Sequence, residues 1–123
     1  MLAGMWQRMK DIRQKKALIL MYHQVCEKKN DPWEPAVHPE RFAAQLYYLK
    51  RNFDVVSMEE LAEAIKRKKI SRNMAAITFD DGFADNFNNA VPMLDWLKLP
   101  ATFYIPTHAV NTNKQYWWDE LQC

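Results

Sequence analysis

Short apolar runs alternate with amphipathic segments along this chain, and this alternation limits its fold more than any other feature. Strands are predicted near residues 17–22, 54–56, 75–79 and 101–105. Helices are predicted between them, over about 39–51, from Ser57 to the basic run at 67–69, and over about 86–98. Strands that alternate with helices form a parallel sheet with right-handed crossovers. The sequence therefore predicts an α/β fold with parallel strands.

The length of the chain limits how complete such a fold can be. Its 123 residues fall well short of the ~250 typical of a closed (β/α) barrel. We therefore predict an incomplete barrel or an open sheet, formed by residues 17–123 after a basic N-terminal segment, residues 1–16. An open sheet leaves one edge and one apolar face uncovered, so the isolated chain is expected to associate with itself.

Local signals in the helices and strands refine this outline. The run Ala17–Tyr22 is apolar throughout, which predicts a strand covered on both faces. Ser57 and Glu60 have the spacing of a capping box, and the helix that they begin is expected to turn Leu61 and Ile65 inward. In the third helix, Phe87, Val91 and Leu94 share one register and are expected to face the core.

Two adjacent carboxylates, Asp80 and Asp81, follow the apolar run Met74–Phe79 directly. Successive side chains of an extended chain diverge, so one carboxylate can hold a metal while the other faces a substrate or its attacking water. Gly82 then permits a sharp turn. A plain surface turn remains the alternative, because Asp-Gly is a common turn dipeptide.

Other polar residues are expected on the same rim as the acidic pair. In a parallel arrangement, the loops that follow the strands form the functional face. That rule places Tyr22-His23, Ser57 and Thr107-His108 beside the two carboxylates. His38 is expected to cap a helix or lie on the surface, and Asp85 to bond a loop or cap the third helix.

The motif Thr78-Phe79-Asp80-Asp81-Gly82 resembles the first signature motif of the polysaccharide deacetylases, carbohydrate esterase family 4. The likeness continues through Ala17–His23, Leu99–Ile105 and Trp117-Trp118-Asp119, and covers roughly residues 17–121. It implies metal-dependent removal of acetyl groups from N-acetylated or O-acetylated polysaccharides or oligosaccharides. The chain is identified as the N-terminal half of such a barrel.

The resemblance also implies roles for single residues. Asp81 corresponds to a ligand of the divalent metal, expected to be zinc, and Asp80 to the general base. The family completes its metal site with an H-x-x-x-H motif, whereas the histidines here lie at positions 23, 38 and 108. A catalytic zinc site needs three protein ligands. The chain alone is therefore expected to be inactive, and a metal-free chain is one expected outcome.

Four residues are candidates for binding the carbohydrate substrate: His23, Trp117, Trp118 and Asp119. His23 follows the first strand, and the equivalent Tyr-His of the family lies near the site; a hydrogen-bonded structural histidine is the alternative. Trp117 and Trp118 offer apolar faces on which a sugar ring can pack, or they cover the core. Asp119 belongs to the same motif.

Charge and cysteine content exclude several other classes of protein. The net charge of +2, with both signs interspersed, is too small an excess to indicate nucleic acid or a membrane surface. The apolar run 17–21 is too short for a membrane span, and no secretion signal follows from it. Cys26 and Cys123 are predicted to be free thiols. The sequence is thus compatible with a reducing compartment, whereas the family often works at the cell envelope.

There are two alternatives to an active deacetylase. A receiver domain also alternates strands and helices around acidic residues, but its acidic pair follows the first strand and not the third. A non-catalytic remnant that binds carbohydrate or a partner fits the whole chain. Tight zinc binding would favour the esterase, weak Mg²⁺ binding with phosphorylation the receiver, and neither the remnant.

Overall fold

A computed structural model describes residues 15–28, 36–70, 72–110, 112 and 116. The strands within these residues are β1 (Ala17–Tyr22), β2 (Gln24–Val25), β3 (Ala36–Val37), β4 (Asp54–Val55), β5 (Met74–Phe79) and β6 (Thr102–Phe103). The helices are α1 (Pro39–Asn52), α2 (Met58–Lys66) and α3 (Val91–Leu97), with a π-helical turn at Asn86–Ala90 and a 3₁₀ turn at Thr107–Ala109. In the part of the chain so described, no helix is both long and apolar enough to cross a bilayer.

Strand β5 lies at the centre of a parallel sheet. β1 pairs with it over all six residues, β4 pairs with its first two residues, and β6 with its last two. The amide of Val56 donates to the Ala75 carbonyl, and the amide of Tyr104 donates to the Phe79 carbonyl. These carbonyls point the same way, so β4 and β6 share the edge of β5 opposite β1. The predicted parallel arrangement is confirmed.

Helices cover both faces of this sheet. α1 and α3 pack on the face that carries Ala75, Ile77 and Phe79. α2 packs on the other face, against Met74 and Ala76. The connection from β1 to β4 crosses the sheet past the position of β5, and the connection from β4 to β5 runs back in the opposite direction. Right-handed crossovers that run in opposite directions place their helices on opposite faces of the sheet. The described residues thus form an open sheet, the incomplete barrel that the length predicts.

Two helices begin at caps that the sequence encodes. His38 Nδ1 accepts from the Glu40 amide at 3.3 Å, so His38 caps α1 as expected. Ser57 and Glu60 form the predicted capping box, in which Ser57 Oγ accepts from the Glu60 amide at 3.1 Å. Glu60 Oε2 accepts from the Ser57 amide at 2.9 Å. These bonds from Ser57 hold the pKa of the Glu60 carboxyl below its ordinary value.

Three expectations about burial were wrong. Ile19 and Met21 of β1 are 55% and 61% exposed, because α2 covers β5 and does not reach this face of β1. Ile65, at the last turn of α2, is 47% exposed and only Leu61 is buried there. Phe87 is 74% exposed. The buried positions of that segment are Asn86, Ala90, Leu94 and Leu97, so Leu94 is the one residue of the predicted register that is buried.

Candidate active site

The acidic pair lies where β5 ends, at the same level as the end of β1. The Asp80 amide donates to the Tyr22 carbonyl at 2.9 Å, so the backbone of Asp80 is held to the first strand. His23 is the next residue after Tyr22 and is half-buried. The sheet therefore brings His23 and the two carboxylates to one rim, as the sequence predicted.

The backbone turns at Asp81 and Gly82 in an unusual conformation. Asp81 has φ = 68° and Gly82 has φ = 63°, both in the left-handed region. Such a conformation costs a non-glycine residue of order 1–3 kcal/mol and is concentrated at functional sites. A Cβ at Gly82 would lie 3.3 Å from Cγ2 of Ile105, so space as well as φ favours glycine. The Asp-Gly turn thus fixes the direction of the chain just after the carboxylates.

Aromatic side chains form a rigid support beneath the pair. The Phe79 ring, one residue before Asp80, stacks on Phe103 with centroids 4.7 Å apart and on Tyr22 at 5.4 Å. Phe42 of α1 meets Tyr22 edge-on at 5.1 Å. The Tyr22 hydroxyl donates to Gln45 Oε1 at 2.8 Å, and burial raises the pKa of Tyr22 to about 12. This packing restricts the motion of the strand end that carries Asp80.

Tyr116 holds the turn from the other side. Its hydroxyl donates to the Asp81 carbonyl, and its ring packs edge-on against Phe83 at 5.4 Å. The ring of His108, exposed in the 3₁₀ turn, lies 6.5 Å from that of Tyr116. Sequence reasoning missed Tyr116, because no spacing or motif distinguishes a tyrosine that reaches a backbone carbonyl 35 residues away.

The helix that follows the acidic pair is tied to the segment that follows β1. Asp85 Oδ1 accepts from the Val25 amide at 3.0 Å, and Asn89 Nδ2 donates to the Val25 carbonyl at 2.7 Å. Both backbone groups of this fully buried residue are thus satisfied by side chains. Asp85 therefore bonds a strand residue instead of the expected loop or helix cap, and the role of Asn89 was not foreseen. These two bonds set the rotation of the π-helical turn, which leaves Phe87 outside.

Asn86, in the same turn, is a buried polar residue of another kind. It is 2% exposed, and among the described residues neither atom of its amide group has a hydrogen-bond partner. Leaving such a group unpaired costs about 1–3 kcal/mol. The backbone here is π-helical, a form that is frequent at functional sites.

One residue expected on the rim, Ser57, has another role. Ser57 uses its hydroxyl to cap α2, and β4 pairs with the beginning of β5, so Ser57 lies below the level of the carboxylates. The candidates Trp117, Trp118 and Asp119 lie outside the described residues, as do Cys123 and most of the basic segment 1–16. His23, Asp80 and Asp81 are therefore the predicted site residues that the structure brings together.

The side chains at this rim include carboxylates, which are a type of donor that metal sites use. Over residues 15–28, 36–70, 72–110, 112 and 116, no three His, Cys, Asp or Glu side chains converge as a metal-binding group. A catalytic zinc site takes three protein ligands and keeps one open position. The described donors alone therefore do not fit a complete site.

Comparison of the sequence with known proteins points to one family. A family model for polysaccharide deacetylases matches residues 67–122, a stretch that includes the acidic pair. The chain is also similar to YxkH of Bacillus subtilis (strain 168), whose name places it provisionally among polysaccharide deacetylases. The two are 30% identical over 89 residues, which make up 71% of this chain and 30% of YxkH.

Solved structures with a similar fold include a deacetylase. The deacetylase PplD of Streptococcus pyogenes, solved in complex with acetate, is 28% identical, with a TM-score of 0.67 over 81% of this chain and 48% of PplD. IcaB from Ammonifex degensii has a TM-score of 0.70 at 24% identity, over 85% of this chain and 43% of IcaB. The comparison with PplD supports a family relationship, and the comparison with IcaB supports the fold alone. This chain spans less than half the length of each of these relatives.

Proposed function

This chain belongs to the polysaccharide deacetylase family, and we propose that it supplies the acidic half of a deacetylase active site. In this proposal Asp80 is the general base and Asp81 is a metal ligand. The observation that carries it is the placement of both carboxylates at the end of a fully buried central strand. The Tyr22 carbonyl, the left-handed turn and Tyr116 all constrain the backbone there.

The proposed chemistry is hydrolysis of an N-acetyl or O-acetyl group on a carbohydrate. Asp80 accepts a proton from the attacking water, and its anchored backbone lets the carboxylate act without reorganising. A divalent metal, expected to be zinc, would supply polarisation of the acetyl carbonyl when bound. Acetate leaves as one product, and the solved structure of PplD contains acetate.

Carbohydrate binding is proposed for His23, Trp117, Trp118 and Asp119. The support for His23 is its position next to Tyr22, whose carbonyl accepts from the Asp80 amide. The support for the other three is their sequence position directly after Tyr116, which bonds the turn at Asp81. Indole faces pack well against the C–H faces of sugar rings.

A second candidate function is carbohydrate binding without hydrolysis. The incomplete donor set among the described residues favours it for this chain in isolation. The two candidates differ in what a zinc titration and an acetate assay report, so one pair of measurements separates them.

The first experiment uses the chain as it is, with zinc and a chitooligosaccharide. We expect no metal-dependent release of acetate above background, and no change in either Asp80→Asn or Asp81→Asn. Metal-dependent release that is lost in Asp80→Asn would overturn the half-site proposal. Such a result would mean that His23, His108 or a second copy of the chain completes the ligand set.

The second experiment tests the two roles in a chimera in which this chain replaces the matching part of PplD. Asp81→Asn is expected to abolish zinc binding, whereas Asp80→Asn keeps zinc and reduces acetate release by about 100-fold or more. Asp95→Asn, at an exposed acid on α3, makes the same charge change and serves as the control. Full acetate release by the Asp80→Asn chimera would refute the assignment of the base.

A further inference from the structure

The outer edge of β1 exposes unpaired backbone groups. The carbonyls of Lys16 and Tyr22 accept from amides on the β5 side, so the intervening odd residues Ala17, Ile19 and Met21 direct their backbone groups away from β5. Among the described residues, no strand pairs with this edge. The strand has no charge, proline or bulge, which are the usual means of protecting an edge. β1 is therefore open to pairing with another strand.

Apolar surface lies on both sides of this edge. On one face of the sheet, Ile19 and Met21 are mostly exposed. On the other face, a groove of about 710 Å³ runs between β1 and α1, lined mainly by apolar side chains that include Leu18, Leu20 and Tyr48. A strand that docks here must carry apolar side chains on both of its faces.

Among the strands that the structure describes, one meets this requirement and has an unpaired edge. Of the described strands, β1 and β5 have six residues and the rest have two. β5 already uses both of its edges, whereas β1 is apolar on both faces and uses one edge. We propose that the edge of β1 binds β1 of a second copy of this chain, so that the two sheets join into one.

Symmetry then fixes the geometry of the pair. A two-fold axis makes the two β1 strands antiparallel. The register with the greatest overlap pairs Ile19 with the second copy's Ile19, and Ala17 with the second copy's Met21, and each pair exchanges both hydrogen bonds. An axis perpendicular to the sheet keeps α1 on the same face in both copies. The two grooves then adjoin, and the exposed Tyr48 of each copy borders the groove of the other.

Sedimentation velocity across about 1–100 μM tests the association, with a dimer as the expected species. Ile19→Lys and Met21→Lys each place a charge in the joint and are expected to raise the dimer dissociation constant at least about tenfold. Ile65→Lys, at an exposed isoleucine on α2, is the matched control and should leave the constant unchanged. Circular dichroism checks that every variant is folded. A monomer at every concentration, or a dimer that survives both edge substitutions, would overturn the proposal.

Disulfide trapping tests the register, in a chain with Cys26→Ser and Cys123→Ser. Residues in a hydrogen-bonded antiparallel pair have Cα atoms about 5.5 Å apart, within the range of a disulfide. Ile19→Cys alone should therefore cross-link. Ala17→Cys and Met21→Cys should cross-link when the two variants are mixed and not separately, because identical residues would lie roughly 14 Å apart. Equal cross-linking in the separate samples, or cross-linking by an Ile65→Cys control, would contradict the proposed pairing of the two β1 strands.

The association does not depend on the proposed function. Its tests involve no metal and no substrate, so a monomeric chain would leave the roles of Asp80 and Asp81 untouched, and an inactive chain would leave the dimer untouched.

Discussion

Strands β1 and β5 look alike in sequence, yet the sheet treats them differently. Both have six residues, both are largely apolar, and they pair with each other along their whole length. Every residue of β5 is buried, whereas in β1 only Tyr22 is. The cause is position. Among the described residues, β5 has a strand on each edge and helices on both faces, while β1 has one neighbouring strand and one covered face.

This contrast shows where the fold can be precise and where it can associate. The acidic pair follows the strand that is enclosed on all sides, and packing there limits the motion of Asp80. The open strand instead supplies the surface proposed for pairing with a second copy. The region suited to chemistry and the region suited to association are therefore adjacent strands of one sheet.

The largest effect on stability is expected when a buried isoleucine of β5 is replaced by alanine, and the same replacement in β1 is the comparison. Ile77→Ala removes a side chain that is 1% exposed and should lower the free energy of unfolding by about 2–5 kcal/mol. Ile19→Ala, at a mostly exposed position, should cost about 0.5 kcal/mol or less in the monomer. Urea unfolding followed by circular dichroism at low concentration measures both. Equal costs would remove the contrast between the strands.

The one buried residue of β1 predicts a specific dependence on alkaline pH. Burial raises the pKa of Tyr22 to about 12 in the folded chain, above its ordinary value of 10.0. Its stabilising contribution is complete below pH 10 and is lost as the pH rises towards 12, because the unfolded chain releases the proton first. The full loss approaches about 3 kcal/mol.

Urea unfolding at pH 9 and at pH 11.5 tests this dependence. The fall in stability between the two values should be smaller in Tyr22→Phe than in the wild type. Tyr47→Phe, at an exposed tyrosine, serves as the control and should keep the wild-type fall. An unchanged fall in Tyr22→Phe would show that burial at the end of β1 does not control this titration.

The next largest effect on stability is expected at Val25, because side chains supply the hydrogen-bond partners of its backbone groups. Asp85→Ala leaves the buried amide of Val25 without an acceptor and should cost about 1–3 kcal/mol. Asp85→Asn keeps an oxygen at the same position and should recover most of that loss. Hydrogen exchange at the Val25 amide should quicken in the alanine variant more than exchange within β5. Uniform quickening would point to global unfolding instead.

The smallest effect on stability is expected in the loop after β5, where Gly82 has a left-handed backbone conformation. Gly82→Ala must adopt φ near 63° and approach Ile105, at a cost of about 1–2 kcal/mol. Gly82→Asn is the comparison, because asparagine tolerates the left-handed region better than alanine. Urea unfolding gives the loss of unfolding free energy, and amide chemical shifts should change mainly near the turn at Gly82 and near Ile105. No difference between the two variants would argue against backbone strain as the cause.

Local sequence predicted the elements well. The strand at 17–22 was predicted with its observed bounds, and the capping box at Ser57 begins α2 as expected. The strand predicted at 101–105 is shorter in the structure, where β6 comprises Thr102 and Phe103. Caps and apolar runs are properties of a few neighbouring residues, which is why the sequence alone suffices for them.

The third helix marks where local reasoning fails. Its apolar register placed Phe87 inward, but the bonds from Asp85 and Asn89 to Val25 rotate the first turn and place Asn86 inward instead. Those bonds cross about 60 residues of sequence, so no periodicity can reveal them. Tyr116 was missed for the same reason.

The sequence by itself determined that this chain is a parallel α/β fold with two carboxylates after a buried strand, because composition and periodicity act over a few residues at a time. Only the tertiary structure decided that β5 is enclosed and β1 is open, since burial depends on which elements lie on each side of a strand. It also decided that Asp80 is anchored to Tyr22 and that Asp85 and Asn89 bind one buried peptide group. These contacts join residues that are distant in sequence, and the energy that selects them comes from packing the whole sheet.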